Sequence, residues 1–444
     1  MQLRSRVALA GAGLTLVTAS YALHFMRPLH LEPDSVCYLL TAEVAAQGGG
    51  WSCAGCPRDT CPINYPPGYP AMLSVLIRTN LATPSSFFGL NLGCLGLGVA
   101  ATFGLLRRAF AFSAGTSIAL CSLALLSYPV FRWVNAPLSD HAFFAVATAC
   151  LYALVRSSEA TGPGRAVALG IGSVLAAAAI LIRIIGVALL PALVWAAVGG
   201  PPALVRIREQ LRAKSRPVIY AVGATAGVAL AGVALVVLRS DYVQINLRGQ
   251  FSSGLGATLL RTWGYRLREW GEIGLNVPAT RVPTTLRPLF PWVGIFALVC
   301  FAAAVWARRR RFGPVEAFVL CYSALLFLWP FGDARFWLPV IPLITGWLAW
   351  AAGELTHQYA VRPVFLAYAG TFALLGFVGQ TLNARRSLAG DRFPLTYRDD
   401  YLGPAYRVAW GQGSKSDSVA ADPTVVSMIL RYDPAARNAR ARRK

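Results

Sequence analysis

Long apolar stretches alternate with short polar ones along almost the whole chain. A helix needs about 20 apolar residues to cross a bilayer. Stretches near that length recur at 7–26, 85–106, 113–131, 138–156, 166–182, 184–199, 218–238, 289–307, 314–331, 335–352 and 363–381. The pattern predicts an all-α, polytopic transmembrane bundle of about 11 spans, with 1–382 as one integral membrane domain. The first stretch follows Arg4 and Arg6, in the charge order of a signal peptide. Its length and the lack of a small-residue cleavage site predict an uncleaved first span instead. The apolar segment 69–81 has about 13 residues, too few to cross. It follows the rigid run Tyr65-Pro66-Pro67-Gly68-Tyr69-Pro70 and is expected to lie as a juxtamembrane helix on the outer leaflet.

Composition agrees with the pattern: 56% of the 444 residues are hydrophobic and only 14% are charged, with a mean hydropathy of +0.53. A soluble domain carries nearer a quarter charged residues, so that class is excluded. The 41 Lys and Arg outweigh the 19 Asp and Glu to give a formal charge of +22, which in a soluble protein would suggest nucleic acid. Here no nucleic acid is expected, because the basic residues gather in short loops: Arg107 and Arg108; Arg156 and Arg165; Arg206 to Arg216; Arg308 to Arg311. The positive-inside rule puts these loops, and the N-terminus, in the cytoplasm. Three larger pieces then face outward: a first loop at 27–84 with juxtamembrane helices, a loop at 239–288, and a basic tail at 383–444. The tail ends in Arg440, Arg442, Arg443 and Lys444 and runs against the rule. Long segments, however, translocate largely regardless of charge.

Four charged positions sit where hydrocarbon makes charge costly. Asp34 opens the first external loop, close to the membrane surface, where a carboxylate could reach a lipid headgroup. After Pro33 it fits equally well as the N-cap of an amphipathic helix carrying Val36, Leu40 and Val44 on one face. Asp140 stands at the outer entrance of the fourth span, and an ionisable residue there is a functional candidate that normally faces the bundle interior; Ser139 or Asp140 could instead start the helix as a cap. His141 beside it is either a satisfied polar side chain or a substrate-binding group. Arg183 separates two apolar runs, and Arg335 sits in Asp333-Ala334-Arg335-Phe336-Trp337. A guanidinium fork suits a phosphate, while for Arg335 a simple surface pair with Asp333 competes. Cys37, Cys53, Cys56 and Cys61 share the first loop, where an oxidising compartment predicts at least one disulfide rather than a zinc site. The spacing does not choose among the pairings.

The order of these segments resembles the polytopic glycosyltransferases of the GT-C fold, in the bacterial branch related to protein O-mannosyltransferases and lipid A aminoarabinose transferases. The resemblance runs over about 1–355. It rests on Asp34 soon after the first span, the Tyr65 to Pro70 run, Asp140 at the second external loop, Arg183 between paired spans, and Arg335-Phe336 with Pro339. It implies a multi-pass protein of the bacterial inner membrane, with its active site facing the periplasm. A sugar would pass there from a polyprenyl-phosphate carrier to a glycan, lipid or protein acceptor, among membrane lipids. Asp34 becomes the general base or the carboxylate that orients a divalent cation, and Asp140 a second carboxylate. Tyr65, Tyr69 and His141 bind substrate, and Arg183 and Arg335 hold the carrier phosphate. Such chemistry needs phosphate charge stabilised while a hydroxyl loses its proton. Two features depart from the family: Asp34 is followed by Ser35 where many relatives carry an Asp-Glu pair, and the cysteine-rich insert is not general. The sugar, the acceptor and the metal dependence stay open. A lipid-sugar flippase or transporter is the alternative, and it calls for polar residues threaded through the middle of several spans.

Overall fold

The structure, a computed structural model, describes residues 2–51, 65–198, 254–355, 361–397 and 400–443. Among these, every regular element is helical. α1 (Gln2–Ala22), α2 (Pro33–Ala46), α3 (Gly68–Arg78), α4 (Pro84–Arg108), α5 (Ala114–Leu125) and α6 (Tyr128–Phe131) come first. α7 (Asp140–Glu159), α8 (Gly162–Ile182) and α9 (Leu190–Val198) follow, then α10 (Leu255–Leu275), α11 (Leu289–Arg308), α12 (Pro314–Leu328), α13 (Ile341–Leu355) and α14 (Val361–Ser387). Four short helices close the chain: α15 (Leu402–Ala409), α16 (Lys415–Ala420), α17 (Pro423–Tyr432) and α18 (Pro434–Arg443).

Five segments among the described residues are long and apolar enough to cross a membrane: Pro84–Arg108, Asp140–Glu159, Gly162–Ile182, Thr284–Arg311 and Pro363–Ser387. Three more, Ala114–Leu125, Ile184–Val198 and Pro314–Leu328, are apolar but shorter. The chain is a multi-pass membrane protein, but the described helices do not amount to eleven full-length spans. The stretch expected at 113–131 ends as a helix at Leu125 and restarts at Tyr128, with Pro129 in its first turn. The stretch at 184–199 opens as a 3₁₀ turn, Ile184–Leu189, and the one at 335–352 opens within another, Ala334–Trp337, before its helix starts at Ile341. The stretch at 218–238 lies outside the described residues. α3, at 11 residues, is about 16 Å long, roughly half the hydrocarbon thickness. It packs on α2 and the end of α8.

The interval 239–288, expected as a loop, contains the 21-residue α10. Its Arg266, Glu269, Glu272 and Asn276 recur every three or four residues and so share one face. That face makes the broken spans tolerable. Arg266 donates to the carbonyl oxygens of Leu326 (2.8 Å) and Trp329 (2.9 Å) and to that of Phe331, where α12 frays. Glu272 accepts from the Tyr128 hydroxyl at 2.6 Å and the Ala279 amide at 3.0 Å. Asn276, left-handed at φ 54° where it caps α10, accepts from the Tyr128 amide (2.8 Å) and donates to the carbonyls of Leu126 and Phe372 (3.0 Å each). An unsatisfied backbone group in hydrocarbon costs several kcal/mol, so spans can stop short where a neighbouring helix supplies these partners. α10 approaches α11 backbone to backbone: a Cβ on Gly271 would collide with the carbonyl of Phe290, and one on Gly294 with that of Leu267.

The helices alternate between two ends. At one, Arg308 pairs with Glu316 (2.7 Å), donates to the carbonyl of Ala109 and stacks on Phe110, beside the Arg108–Glu159 pair at 2.6 Å. At the other lie the starts of α2 and α7, the end of α8 and the turn before α13. The stretch 383–444, expected as a tail, folds onto this second end through α15 to α18. Asp433 accepts from the Leu29 amide (3.1 Å), the Tyr406 hydroxyl accepts from the Leu31 amide (2.9 Å), and Glu43 pairs with Arg431 (2.8 Å).

Candidate functional site

The N-cap of α2 is Glu32, not Asp34. Glu32 and Ser35 form a reciprocal capping box, with the Glu32 amide donating to the Ser35 hydroxyl at 3.2 Å. The capping alternative for Asp34 is therefore set aside, and its carboxylate is free to turn inward. One oxygen accepts from the Tyr65 hydroxyl at 2.8 Å and the other is gripped by the Arg335 guanidinium. Asp140 is the first residue of α7. It caps nothing: its buried carboxylate meets the guanidinium of Arg183 and lies 4.0 Å from that of Arg335. The adjacent Ser139 hydroxyl bonds instead to Tyr38 at 2.9 Å.

Local backbone fixes each member. Arg183 is extended, between the end of α8 and the 3₁₀ turn after it. Gly68, inside the aromatic and proline run, lets α3 touch this joint; a Cβ there would stand 2.7 Å from the carbonyl oxygen of Leu181. The Arg335 turn is capped by Asp333, which accepts from the Arg335 amide at 2.9 Å, and Tyr322 donates to the carbonyl of Phe336 at 2.6 Å. Trp337 donates to Glu269 at 2.7 Å, and Glu269 also holds Arg266 at 2.5 Å. Asn91, buried in α4, donates to the carbonyls of Val134 (3.0 Å) and Ala136 (2.6 Å) and so steadies the approach to Asp140.

Asp34, Asp140, Arg183 and Arg335 thus come together from four separate elements. Two carboxylates that face one guanidinium stand within about 10 Å of each other, given its short, planar fork. The expected pair of Arg335 with Asp333 also forms, at 3.2 Å, but it is one of three carboxylates around that fork. Tyr65 belongs to the cluster, and Tyr38 packs between Tyr65 (4.8 Å) and Tyr69 (5.2 Å). The Tyr69 hydroxyl is buried with no hydrogen-bond partner among the described residues. His141 is buried and bonded to the carbonyl of Val130 at 3.0 Å, not to any of the charged groups.

The two outer acids differ. Burial pushes the carboxyl of Asp34 up, but Arg335, Tyr65 and Arg183 outweigh it and hold the group below the usual carboxylate range. Burial also pushes Asp333 up, Arg335 offsets this only in part, and the charge of Asp140 adds to the rise. A divalent cation, as the resemblance suggests, would have to compete with guanidinia already paired to these carboxylates. Among the described residues no three carboxylate, imidazole or thiolate groups converge as metal ligands, and each acid already faces a guanidinium. Three recesses elsewhere in the bundle, one of about 1080 Å³ between α1, α5, α13 and α14, have apolar linings that contain none of these charged residues.

Pattern reading missed Tyr38, Asn91 and the Arg266–Glu269 clamp. Asn91 had a signal, a lone amide within an apolar span; α10 had none, because its charges mask it as a loop. Cys53, Cys56 and Cys61 lie outside the described residues. Cys37 is buried in α2, and among the described residues no disulfide forms, so the expected bond gains no support.

No protein-family model matches the chain, and no curated protein matches it either. Among solved structures it is similar to ArnT from Cupriavidus metallidurans in the apo state, at 17% identity and a TM-score of 0.43, over 99% of this chain and 75% of that one. A likeness this loose assigns no activity.

Proposed function

We propose that this chain is an integral membrane glycosyltransferase. It would move a sugar from a polyprenyl-phosphate carrier to a cell-envelope acceptor on the periplasmic face of a bacterial inner membrane. The observation that supports this is the meeting of Asp34 and Asp140 with Arg183 and Arg335, residues that the GT-C resemblance selected from four distant parts of the sequence.

In this reading Asp34, whose side chain is 29% exposed against 3% for Asp140, takes the proton of the acceptor hydroxyl. The acceptor oxygen bonds to the anomeric carbon as the bond from that carbon to the phosphate oxygen breaks. The leaving phosphate keeps the electron pair, and Arg335 and Arg183 stabilise its charge. Asp140 orients both guanidinia, Tyr65 offers an aromatic face to substrate, and the buried Tyr69 backs it through Tyr38. No step is routed through a cation. At rest Asp34 is a weak base because Arg335 grips it. Phosphate drawing Arg335 away would raise its proton affinity, so the donor binds before the acceptor loses its proton.

The test compares lipid-linked and finished glycans in a deletion strain complemented with wild type or Asp34→Asn at equal expression. We expect transfer to fall by at least about 10²-fold, the usual loss on removing a general base. Unchanged finished glycan in the variant would sink the reading. Lipid-linked sugar trapped on the cytoplasmic face of the deletion strain would favour the flippase.

A further inference from the structure

Arg132, which no motif selected, lies in the turn after α6. We infer that Arg132 is the group that first captures the phosphate of the lipid-linked donor, beside the cluster and ahead of Arg183 and Arg335; this rests on the glycosyltransferase reading above. Its guanidinium stands 4.3 Å from the centre of the Trp133 ring, and Arg335 reaches the same ring at 5.9 Å. One buried indole therefore holds both cations in the same neighbourhood. The turn itself is anchored: the Arg132 amide donates to the carbonyl of Tyr128 at 3.1 Å, and Tyr128 is fixed by Asn276 and Glu272.

Charge matching separates Arg132 from the other two arginines. Arg183 faces Asp140, and Arg335 faces Asp34, Asp333 and Asp140. Both guanidinia are thus already matched by carboxylates, and an incoming phosphate must compete with these for them. Arg132 is half-buried and has no carboxylate at salt-bridge distance and no hydrogen bond from its guanidinium among the described residues. Its positive charge is felt at Glu32, at Asp333 and at the buried His30, in keeping with a place beside the cluster. Glu32 is engaged by His30 at 3.3 Å. A guanidinium whose five donors are unspent among the described residues, fixed on an aromatic ring beside the cluster, is suited to bind the two oxygens of a phosphate ester.

The experiment uses the full chain in nanodiscs of phosphatidylcholine and measures binding of farnesyl phosphate, farnesol, inorganic phosphate and phosphatidylglycerol. Arg132→Ala, Arg132→Lys and, as a charge control, Arg392→Ala at an exposed site are compared with wild type. We expect Arg132→Ala to weaken farnesyl phosphate binding by at least about tenfold, the worth of a charged hydrogen-bonded contact. Farnesol binding and the melting temperature should be unmoved, Arg132→Lys should recover part of the loss, and Arg392→Ala should match wild type. Wild-type affinity in both Arg132 variants would overturn the inference and leave the glycosyltransferase reading standing. Equal, Arg132-dependent binding of phosphatidylglycerol would make this a lipid headgroup site and overturn the donor assignment. Arg132-dependent binding of farnesyl phosphate in a chain that fails the glycan test would retain the phosphate site and remove the transferase reading alone.

Discussion

Asp34 and Asp333 share the Arg335 guanidinium, but their surroundings push them in opposite directions. Burial raises both; at Asp34 it is outweighed by Arg335, helped by the Tyr65 hydroxyl and the field of Arg183, whereas at Asp333 burial prevails over Arg335 and the charge of Asp140 adds to it. The unfolded value of an Asp is about 3.9. A carboxyl lowered by folding contributes stability that is present above that value and lost as pH falls through the lower folded one. One raised by folding contributes stability that is present below about 3.9 and lost as pH rises through the folded value. Thermal melting of the detergent-solubilised protein between about pH 3 and pH 8 should therefore show two profiles. The penalty of Asp34→Asn should be largest near neutrality and shrink below about pH 4. Asp333→Asn, which mimics the protonated acid, should become less damaging or stabilising as pH rises above about 4. Parallel profiles for the two variants would contradict the assigned environments. Neither direction was legible in the sequence, since Tyr65 and Asp140 are far from the groups they tune.

At the scale of elements, the joint between α3 and α8 carries the most information per residue. The proline run limits the backbone before α3, and Gly68 brings that helix against the carbonyl of Leu181, two residues before Arg183. Gly68→Ala should cost about 1–3 kcal/mol by overpacking and displace Arg183. The expected result is a lower melting temperature together with reduced transfer, and a variant that melts with wild type would show that the joint can give. The run itself stood out in the sequence, whereas its partner did not, because α8 carries no mark of what touches its end. α10 is the converse case. Its charged face reads as a loop by hydropathy, yet that face satisfies the ends of α5 and α12, and its Glu269 holds the Trp337 side of the Arg335 turn. Hydropathy measures transfer of single residues, not the partners that await them.

Taken whole, the molecule separates an arginine-rich end, with Arg308 to Arg311 and Arg108, from the end that holds the acidic cluster and α15 to α18. The basic C-terminal helices gather at the latter, where the positive-inside rule would not put them. Cysteines introduced singly at Arg310 and Ser416, both exposed, should be labelled by a membrane-impermeant maleimide from opposite sides of the membrane, Ser416 from the periplasm. Labelling of both from one side would reverse the topology and put the site in the wrong compartment for the proposed reaction.

What the sequence determined by itself was the class of solvent around the chain and the sites where that solvent is violated. Runs of apolar residues near the bilayer thickness, and charges at the edges of those runs, are local properties, so membrane helices, Asp34, Asp140, Arg183 and Arg335 were all legible without a fold. Only the tertiary structure decided which spans are cut short, that 383–444 packs on the segment leading to Asp34, and that, among the described residues, Arg132 stands without a carboxylate beside paired neighbours. Each of these depends on which groups from distant parts of the chain come within a few ångströms. A hydrogen bond or ion pair is felt only at that range, so hydropathy along the chain cannot report it.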